Sequence, residues 1–231
     1  MYFQHSTQIW RDFPALVPIA LYAEGIVPEV SVADAVARYS AAARSGPQES
    51  ELPQIQAWRR AFASMGLKPT QYRCASEALL RRFRKEGALP SLHPLVDLCN
   101  AISLASAVPI AALDVAAISG DLEVRYAIGD EKYLTFGGDV EQPSPGEVIF
   151  ADGHGNAHAR RWTNRQSGLS AVRDSTSTVL IVAEALHATA AEDMPALLTT
   201  LTSEISAAWR IVPAGAVLSC VSPGFRAGAQ T

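Results

Sequence analysis

The order of elements along the chain predicts an α+β fold. Patterns of helical period cluster in the first 105 residues, and short strand-like runs separated by glycine and aspartate turns fill the middle. One long helix and a last strand then close the chain. A doubly wound sheet would instead alternate strand and helix throughout.

The elements follow in order. Residues 1–6, Met-Tyr-Phe-Gln-His-Ser, resemble what a protease-cleavable tag leaves behind, so the domain is expected over 7–231 with its motif-bearing core at 58–184. Over 13–30, apolar runs alternate with Pro14, Pro18, Gly25 and Pro28, which predicts one or two short strands joined by turns. The stretch 32–44 is alanine-rich with apolar spacing near 3.6 and Asp34 in its first turn, hence a helix. Ser45-Gly46-Pro47 ends it, and the polar run to Glu51 is a linker.

A helix over 54–65 places Ile55, Trp58, Phe62 and Met65 on one face and stops at Gly66. Another over 76–86 takes Ser76 as N-cap, buries Leu79, Leu80 and Phe83, and stops at Gly87. A third, over 94–105, carries Pro94 in its first turn, where a missing N–H costs nothing. Strands are expected at 122–128, 132–136, 147–151, 157–162 and 178–183, with turns at Gly129-Asp130, Gly137-Gly138 and 153–156. A helix over 191–209 and a strand over 216–221 finish the fold.

Apolar residues make up 48% of the chain and charged ones 18%, a composition that supports a full core and argues against disorder. The longest apolar stretch, 101–118, is broken by Pro109 and Asp114, so no membrane span and no membrane partner are expected. Three scattered cysteines (Cys74, Cys99, Cys220) and no secretory leader point to a reduced, cytoplasmic compartment. The net charge of −4 carries no global sign of a nucleic-acid binder, and no DNA partner is expected.

Charge is nevertheless unevenly placed. Between Trp58 and Lys85 eight basic residues face one acid, Glu77, and between Ala157 and Arg173 there are four arginines and no acid. Residues 110–156 carry nine acids and two bases. The basic segments supply either a local phosphate-binding surface or the solvated face of an amphipathic helix.

The sequence lacks a dinucleotide fingerprint, a phosphate-binding loop, a His-Glu-x-x-His motif and a Gly-x-Ser-x-Gly elbow. Asp152, His154 and His158 invite a metal reading, but Asp-Gly-His-Gly-Asn is turn chemistry, so a surface hairpin is favoured and no metal or cofactor is expected. His93 precedes Pro94 where a cap belongs, whereas His5 and His187 carry no signal. The distinctive stretch is 89–104, Leu-Pro-Ser-Leu-His-Pro-Leu-Val-Asp-Leu-Cys-Asn-Ala-Ile-Ser-Leu. So apolar a helix does not bury Asp97 and Asn100 without partners, because an unpaired polar group costs about 1–3 kcal/mol. Both share a face, either within a structural network with Arg73 or Arg125, or with Asn100 opening into a polar pocket.

Val96-Asp97-Leu98-Cys99-Asn100, followed by Pro109-Ile110-Ala111-Ala112-Leu113-Asp114, resembles the Val-Asp-x-Thr-Asn and Gln-Pro-x-His-Ala-Phe-Asp run of the B3/B4 editing-type domain of the phenylalanyl-tRNA synthetase β subunit. The likeness continues through 122–127, 129–131, 134–136, Ser170-Ala171-Val172 and 176–180. The segments 72–80 and 161–167 are similar to the free-standing members of that family. The resemblance implies a layered fold with a mixed or antiparallel, sandwich-like β core flanked by helices.

It also implies a pocket that takes the aminoacylated 3′ end of a tRNA and hydrolyses the ester, a reaction that needs oriented water and oxyanion stabilisation rather than a nucleophilic side chain. Asn100 falls on the family's site asparagine and is the expected catalytic residue. Arg73, Glu77, Ser103, Asn164, Arg165, Gln166 and Ser167 are the expected substrate-binding residues, and Arg81, Arg82, Arg84, Lys85, Arg160 and Arg161 the expected tRNA contacts. Two positions depart from the synthetase pattern: Ala111 replaces its site histidine, and a gapped alignment places Ala171 at its tyrosine-recognising glutamate. Asp97 and Asp114 are expected to be structural. Beside a trans-acting deacylase stand two alternatives, a non-catalytic module for tRNA or aminoacyl-tRNA and a pocket reused for a small amino-acid-like ligand.

Overall fold

The computed structural model describes residues 1–228, so the last three residues of the expected domain lie outside the described residues. The chain starts with β1 (Tyr2–His5), α1 (Thr7–Asp12), β2 (Val17–Glu24) and α2 (Ala33–Arg44). Next come α3 (Pro53–Ser64), α4 (Ala75–Glu86) and α5 (Pro94–Ser106). The strand-rich part holds β3 (Ile110–Asp114), β4 (Leu122–Tyr126), β5 (Tyr133–Leu134), β6 (Val140–Glu141), β7 (Val148–Asp152), β8 (Ala157–Arg160), β9 (Arg165–Gln166) and β10 (Thr178–Ala185). The last described elements are α6 (Ala190–Trp209), β11 (Ala214–Val217) and β12 (Gly224–Arg226).

The fold is α+β. One sheet runs β12-β1-β4-β7-β8-β9 and is antiparallel except where β1 pairs parallel with β4; a second, β11-β2-β10-β3, is antiparallel; β5 and β6 form a hairpin. Alternation along the central strands sorts side chains to two faces. Ala20, Leu180 and Val182 join Phe3, Val124 and Phe150 of the larger sheet in one core with α1, α3 and α4. Ile19, Leu21, Val179 and Ile181 point the other way, into a second core closed by α5 and α6. Both faces of β10 are covered, which is why it reads as a nearly continuous apolar run, whereas the edge strand β11 is largely exposed.

The N-terminus corrects an expectation. Tyr2–His5 is an interior strand between β12 and β4, and Phe3 is fully buried against Phe150. Residues 1–6 therefore belong to the fold, with Ser6 capping α1 by accepting from Ile9 N at 3.4 Å. Helix expectations fare well. Gly87 ends α4 at φ +78°, where only glycine is unstrained, and His93 Nδ1 accepts from Leu95 N at 3.1 Å as the cap of α5. The N-cap of α4 is Cys74 rather than Ser76, which is buried two residues on, in the first turn, beside the Cys74 sulfur. Leu79 is half-buried rather than core. The predicted strand at 132–136 shrinks to β5, and β6 and β9 carry no pattern strong enough to foretell them.

Asp152 and His158 do flank a hairpin turn, but both are buried rather than at the surface. Asp97 holds the loop before α5, accepting from Ser91 Oγ at 2.7 Å and Leu92 N at 2.9 Å. Asp114 accepts from Ala116 N at 2.9 Å and Thr176 Oγ1 at 2.7 Å, in keeping with its expected structural role. No helix among the described residues is long and apolar enough to cross a membrane.

Candidate functional site

Four pieces of chain converge on one cleft of about 740 Å³: the inner face of α4, Asn100 on α5, the β5–β6 hairpin, and the segment Asn164-Arg165-Gln166. On α4, residues 75, 78, 79 and 82 share a face, and Ala75 and Ala78 are small enough to leave the space open. Arg82, paired with Glu86 at 2.9 Å, also lines it. Asn100 is half-buried and its side chain has no hydrogen-bond partner among the described residues; it also borders a second groove of about 550 Å³ against α2.

The segment after β8 makes an unusual turn. Arg161 and Trp162 both have left-handed backbone, φ +47° and +56°, a conformation disfavoured for residues with a Cβ. Three interactions hold it: Trp162 is fully buried edge-on to Trp58 at 5.0 Å, Ala75 N donates to Thr163 O at 2.8 Å, and Asn164 Nδ2 donates to Arg73 O at 2.7 Å. Gln166 Nε2 then donates to Ala112 O at 2.8 Å, tying the turn to β3. Asn164 and Gln166 thus line the cleft while spending their amide donors on its frame.

Behind the cleft, and sharing Ala75, Ile110, Asn164, Arg165 and Gln166 with it, lies a pocket of about 60 Å³. Its walls include Ala111, Phe150, Ala159, Trp162 and Val182. Two polar groups face this apolar shell. Glu184 is buried at the end of β10, and its Oε1 accepts from Trp162 Nε1 at 2.9 Å and lies 2.6 Å from His5 Nε2. Its Oε2 takes no hydrogen bond from the described residues. Thr163 Oγ1 is buried without a partner. A pocket this size is well under the ~150 Å³ that holds a benzene ring, so it fits a small side chain or an ammonium and excludes an aromatic one.

The structure brings together Asn100, Asn164, Arg165, Gln166 and Arg82 and leaves the other expected site residues elsewhere. Glu77 is buried, 2.6 Å from Arg59 and 3.4 Å from Arg73, an internal ion cluster. Ser103 is buried and donates to Val108 O at 2.6 Å, closing the end of α5. Ser167 is buried and donates to Leu134 O at 2.8 Å, fixing the hairpin. Arg125 pairs with Glu131 at 2.5 Å, so neither it nor Arg73 reaches Asp97 or Asn100.

The basic segments are largely neutralised. Arg81 and Arg84 both reach Glu49, at 3.1 and 3.4 Å, on the side of α4 away from the cleft. Lys85 is exposed. Arg160 is buried between Glu141 and Glu147, at 2.5 and 2.7 Å, and offers nothing to a phosphate. Arg161 pairs with Glu147 at 3.3 Å and stacks over Tyr72.

Sequence reading missed Glu184, Thr163 and Phe136. A lone acid in the apolar run 179–185 was a usable signal for Glu184, because an unpaired buried carboxylate is expensive. Ala171, placed by the gapped alignment at a recognition position, sits in a bridge to Leu113 and lines neither the cleft nor the pocket. The residues lining the cleft include no His, Ser or Cys. Burial raises the Cys74 and Cys99 thiols to about 11 and about 12, which leaves both unreactive. Among the described residues no three His, Cys, Asp or Glu side chains gather as a metal set would.

Residues 57–207 match the B3/4 domain family, and the chain belongs to it. The chain is 29% identical over 116 residues, half its length, to the phenylalanine–tRNA ligase β subunit of Shewanella oneidensis, of which it spans only 14%. It also has a likeness to the N-terminal fragment of the phenylalanyl-tRNA synthetase β subunit from Pyrococcus horikoshii. That likeness has 14% identity and a TM-score of 0.41, over 52% of this chain and 41% of that one.

Proposed function

We propose that this B3/4 domain protein binds the aminoacylated 3′ end of a tRNA in the cleft and hydrolyses the ester of a misacylated one, acting in the cytoplasm without an attached synthetase. The observation that carries this reading is the small, mostly apolar pocket with a free carboxylate oxygen beside a wider cleft, the layout needed to sort a side chain while leaving the ester in water-accessible space. The relatedness to a tRNA ligase subunit supports the substrate class.

The chemistry asked of the side chains is modest. An aminoacyl ester is already activated, so a positioned water and donors aimed at the developing oxyanion suffice. Asn100, whose amide is uncommitted, is suited to hold that water or donate to the oxyanion. Arg165, 44% exposed at the cleft and 3.5 Å from Glu141, supplies a further donor. Glu184 and Thr163 hold a small polar group of the aminoacyl moiety, its ammonium or a side-chain hydroxyl. With Ala111 and no aromatic-sized space, the substrate has a small side chain.

A second reading is favoured by one observation: Arg82 and Arg165 at the cleft are matched by Asp139 and Glu141, which gives no net pull on a polyanion. In that reading the pocket holds a free amino-acid-like ligand. Incubating the protein with each aminoacyl-tRNA in turn separates the two. The proposal expects faster hydrolysis of at least one small-side-chain ester, slowed at least tenfold in Asn100→Ala. A thermal shift with small amino acids and no hydrolysis of any charged tRNA would select the alternative.

A further inference from the structure

We infer that Phe136, at the tip of the β5–β6 hairpin, is the stacking platform for the terminal nucleobase of the RNA whose ester enters the cleft. This deepens the proposed function and rests on it. Phe136 is 74% exposed, although it lines the cleft together with Asn100, Arg82 and Arg165. Full burial of a benzyl group gains about 1.5–3 kcal/mol, so a flat partner that covers this ring in the mouth of the cleft is stabilised by the contact.

The hairpin beneath it is fixed. Thr135 N donates to Asp139 O at 2.8 Å, Asp139 N donates to Thr135 Oγ1 at 3.0 Å, and Gly168 N and Ser167 Oγ both donate to Leu134 O, at 2.9 and 2.8 Å. Gly168 packs so closely that a Cβ there would meet Thr135 O at 2.9 Å and Phe136 Cα at 3.3 Å. The ring is therefore presented on a rigid base, which keeps the entropic cost of stacking low.

Size and charge both favour a base as the occupant. The cleft, at about 740 Å³, is far larger than the 60 Å³ pocket that takes the small aminoacyl group, so most of it is left for whatever carries the ester. Its four charged side chains balance, so recognition by phosphate attraction is weak there. A π-face needs no charge, and each stacked base contributes about 1–3 kcal/mol. Tyr133, the other aromatic lining the cleft, is buried beneath Arg160 and Arg165 and does not present its face.

The test uses the full chain and an RNA oligonucleotide with the sequence of a tRNA acceptor end, carrying 2-aminopurine in place of the terminal adenine. Binding is expected to quench its fluorescence. Phe136→Ala should abolish the quench and weaken binding about five- to hundredfold, and Phe136→Trp should restore both. Binding without quench, no binding by the wild type, or a quench unchanged in Phe136→Ala would each overturn the inference. Because the RNA is uncharged, a failure of ester hydrolysis does not affect this readout. A deacylase whose activity coexists with no Phe136-dependent quench sinks this inference alone. An exposed position leaves the fold insensitive to these changes, which matching thermal melts of the variants would verify.

Discussion

Two buried carboxylates, each beside a histidine, have opposite surroundings. Asp152 is saturated: Oδ1 accepts from His154 N and Asn156 N at 2.9 and 2.8 Å, while Oδ2 accepts from Ser119 N and Asn156 Nδ2 at 3.1 and 2.9 Å and lies 3.2 Å from His158 Nε2. Burial pushes this carboxyl up, but the bonds from Asn156, Ser119 and His158 outweigh it and hold it at about 2. Burial likewise keeps His158 below its ordinary value. Glu184 commits one oxygen to Trp162 and His5 and leaves the other to a pocket. The lesson is that burial alone does not separate a structural acid from a recognition group; unspent hydrogen-bonding capacity does.

The largest effect expected from this contrast is at the saturated site. Asp152→Ala strands three backbone N–H groups, an amide and an imidazole, and should destabilise the fold by about 3–5 kcal/mol. At this chain length that is a fall in Tm on the order of 10 °C, read by thermal melting. A Tm within about 2 °C of wild type would remove the distinction between the two sites. Next comes Glu184→Gln, which keeps the shape and one acceptor but loses the charge facing the pocket. Its kcat/KM for deacylation should drop about ten- to hundredfold, with a smaller Tm change than Asp152→Ala. Lost stability with full activity would make Glu184 a second structural acid.

A pH series sharpens the comparison further. The folded-state value for Asp152 is depressed, so its stabilisation is present above the ordinary carboxylate value near 3.8 and is lost as pH falls through about 2. Urea unfolding should therefore show about 2 kcal/mol of stability disappearing between about pH 4 and pH 2 in wild type and not in Asp152→Asn. The smallest effect is on the outer face of α4. Arg81→Ala should change affinity for charged tRNA less than about twofold, because Arg81 is already paired with Glu49. Arg82→Ala, at the cleft but paired with Glu86 at 2.9 Å, should weaken it no more than about threefold, by filter binding at fixed low salt.

How much of this was legible in the sequence follows from where each signal resides. The helices α2 to α6 announced themselves through caps and period, which are local. Strand β1 did not, since its pairing joins residues 2–5 to segments near 122 and 224, and a four-residue tract has no pattern to betray that. At the site, Asn100, Asn164, Arg165, Gln166 and Arg82 were legible as types and motifs, and they do line one cleft. Ser103, Ser167, Glu77 and Arg160 were equally polar, yet each is spent on an internal partner that only the folded chain supplies. Glu184 and Thr163 come together from β10 and the turn after β8, so the pocket they define has no sequence neighbourhood.

We propose that the pocket lined by Glu184 and Thr163 sorts a small aminoacyl group for hydrolysis. This sorting is tested most directly by first-order deacylation rates for the full set of aminoacyl-tRNAs, with wild type, Glu184→Gln and Asp152→Asn compared at equal folded fraction. Accelerated loss of one or a few small-side-chain esters is expected, slowed about ten- to hundredfold by Glu184→Gln and preserved in Asp152→Asn. Uniform background rates across the set, or equal loss in both variants, would contradict it.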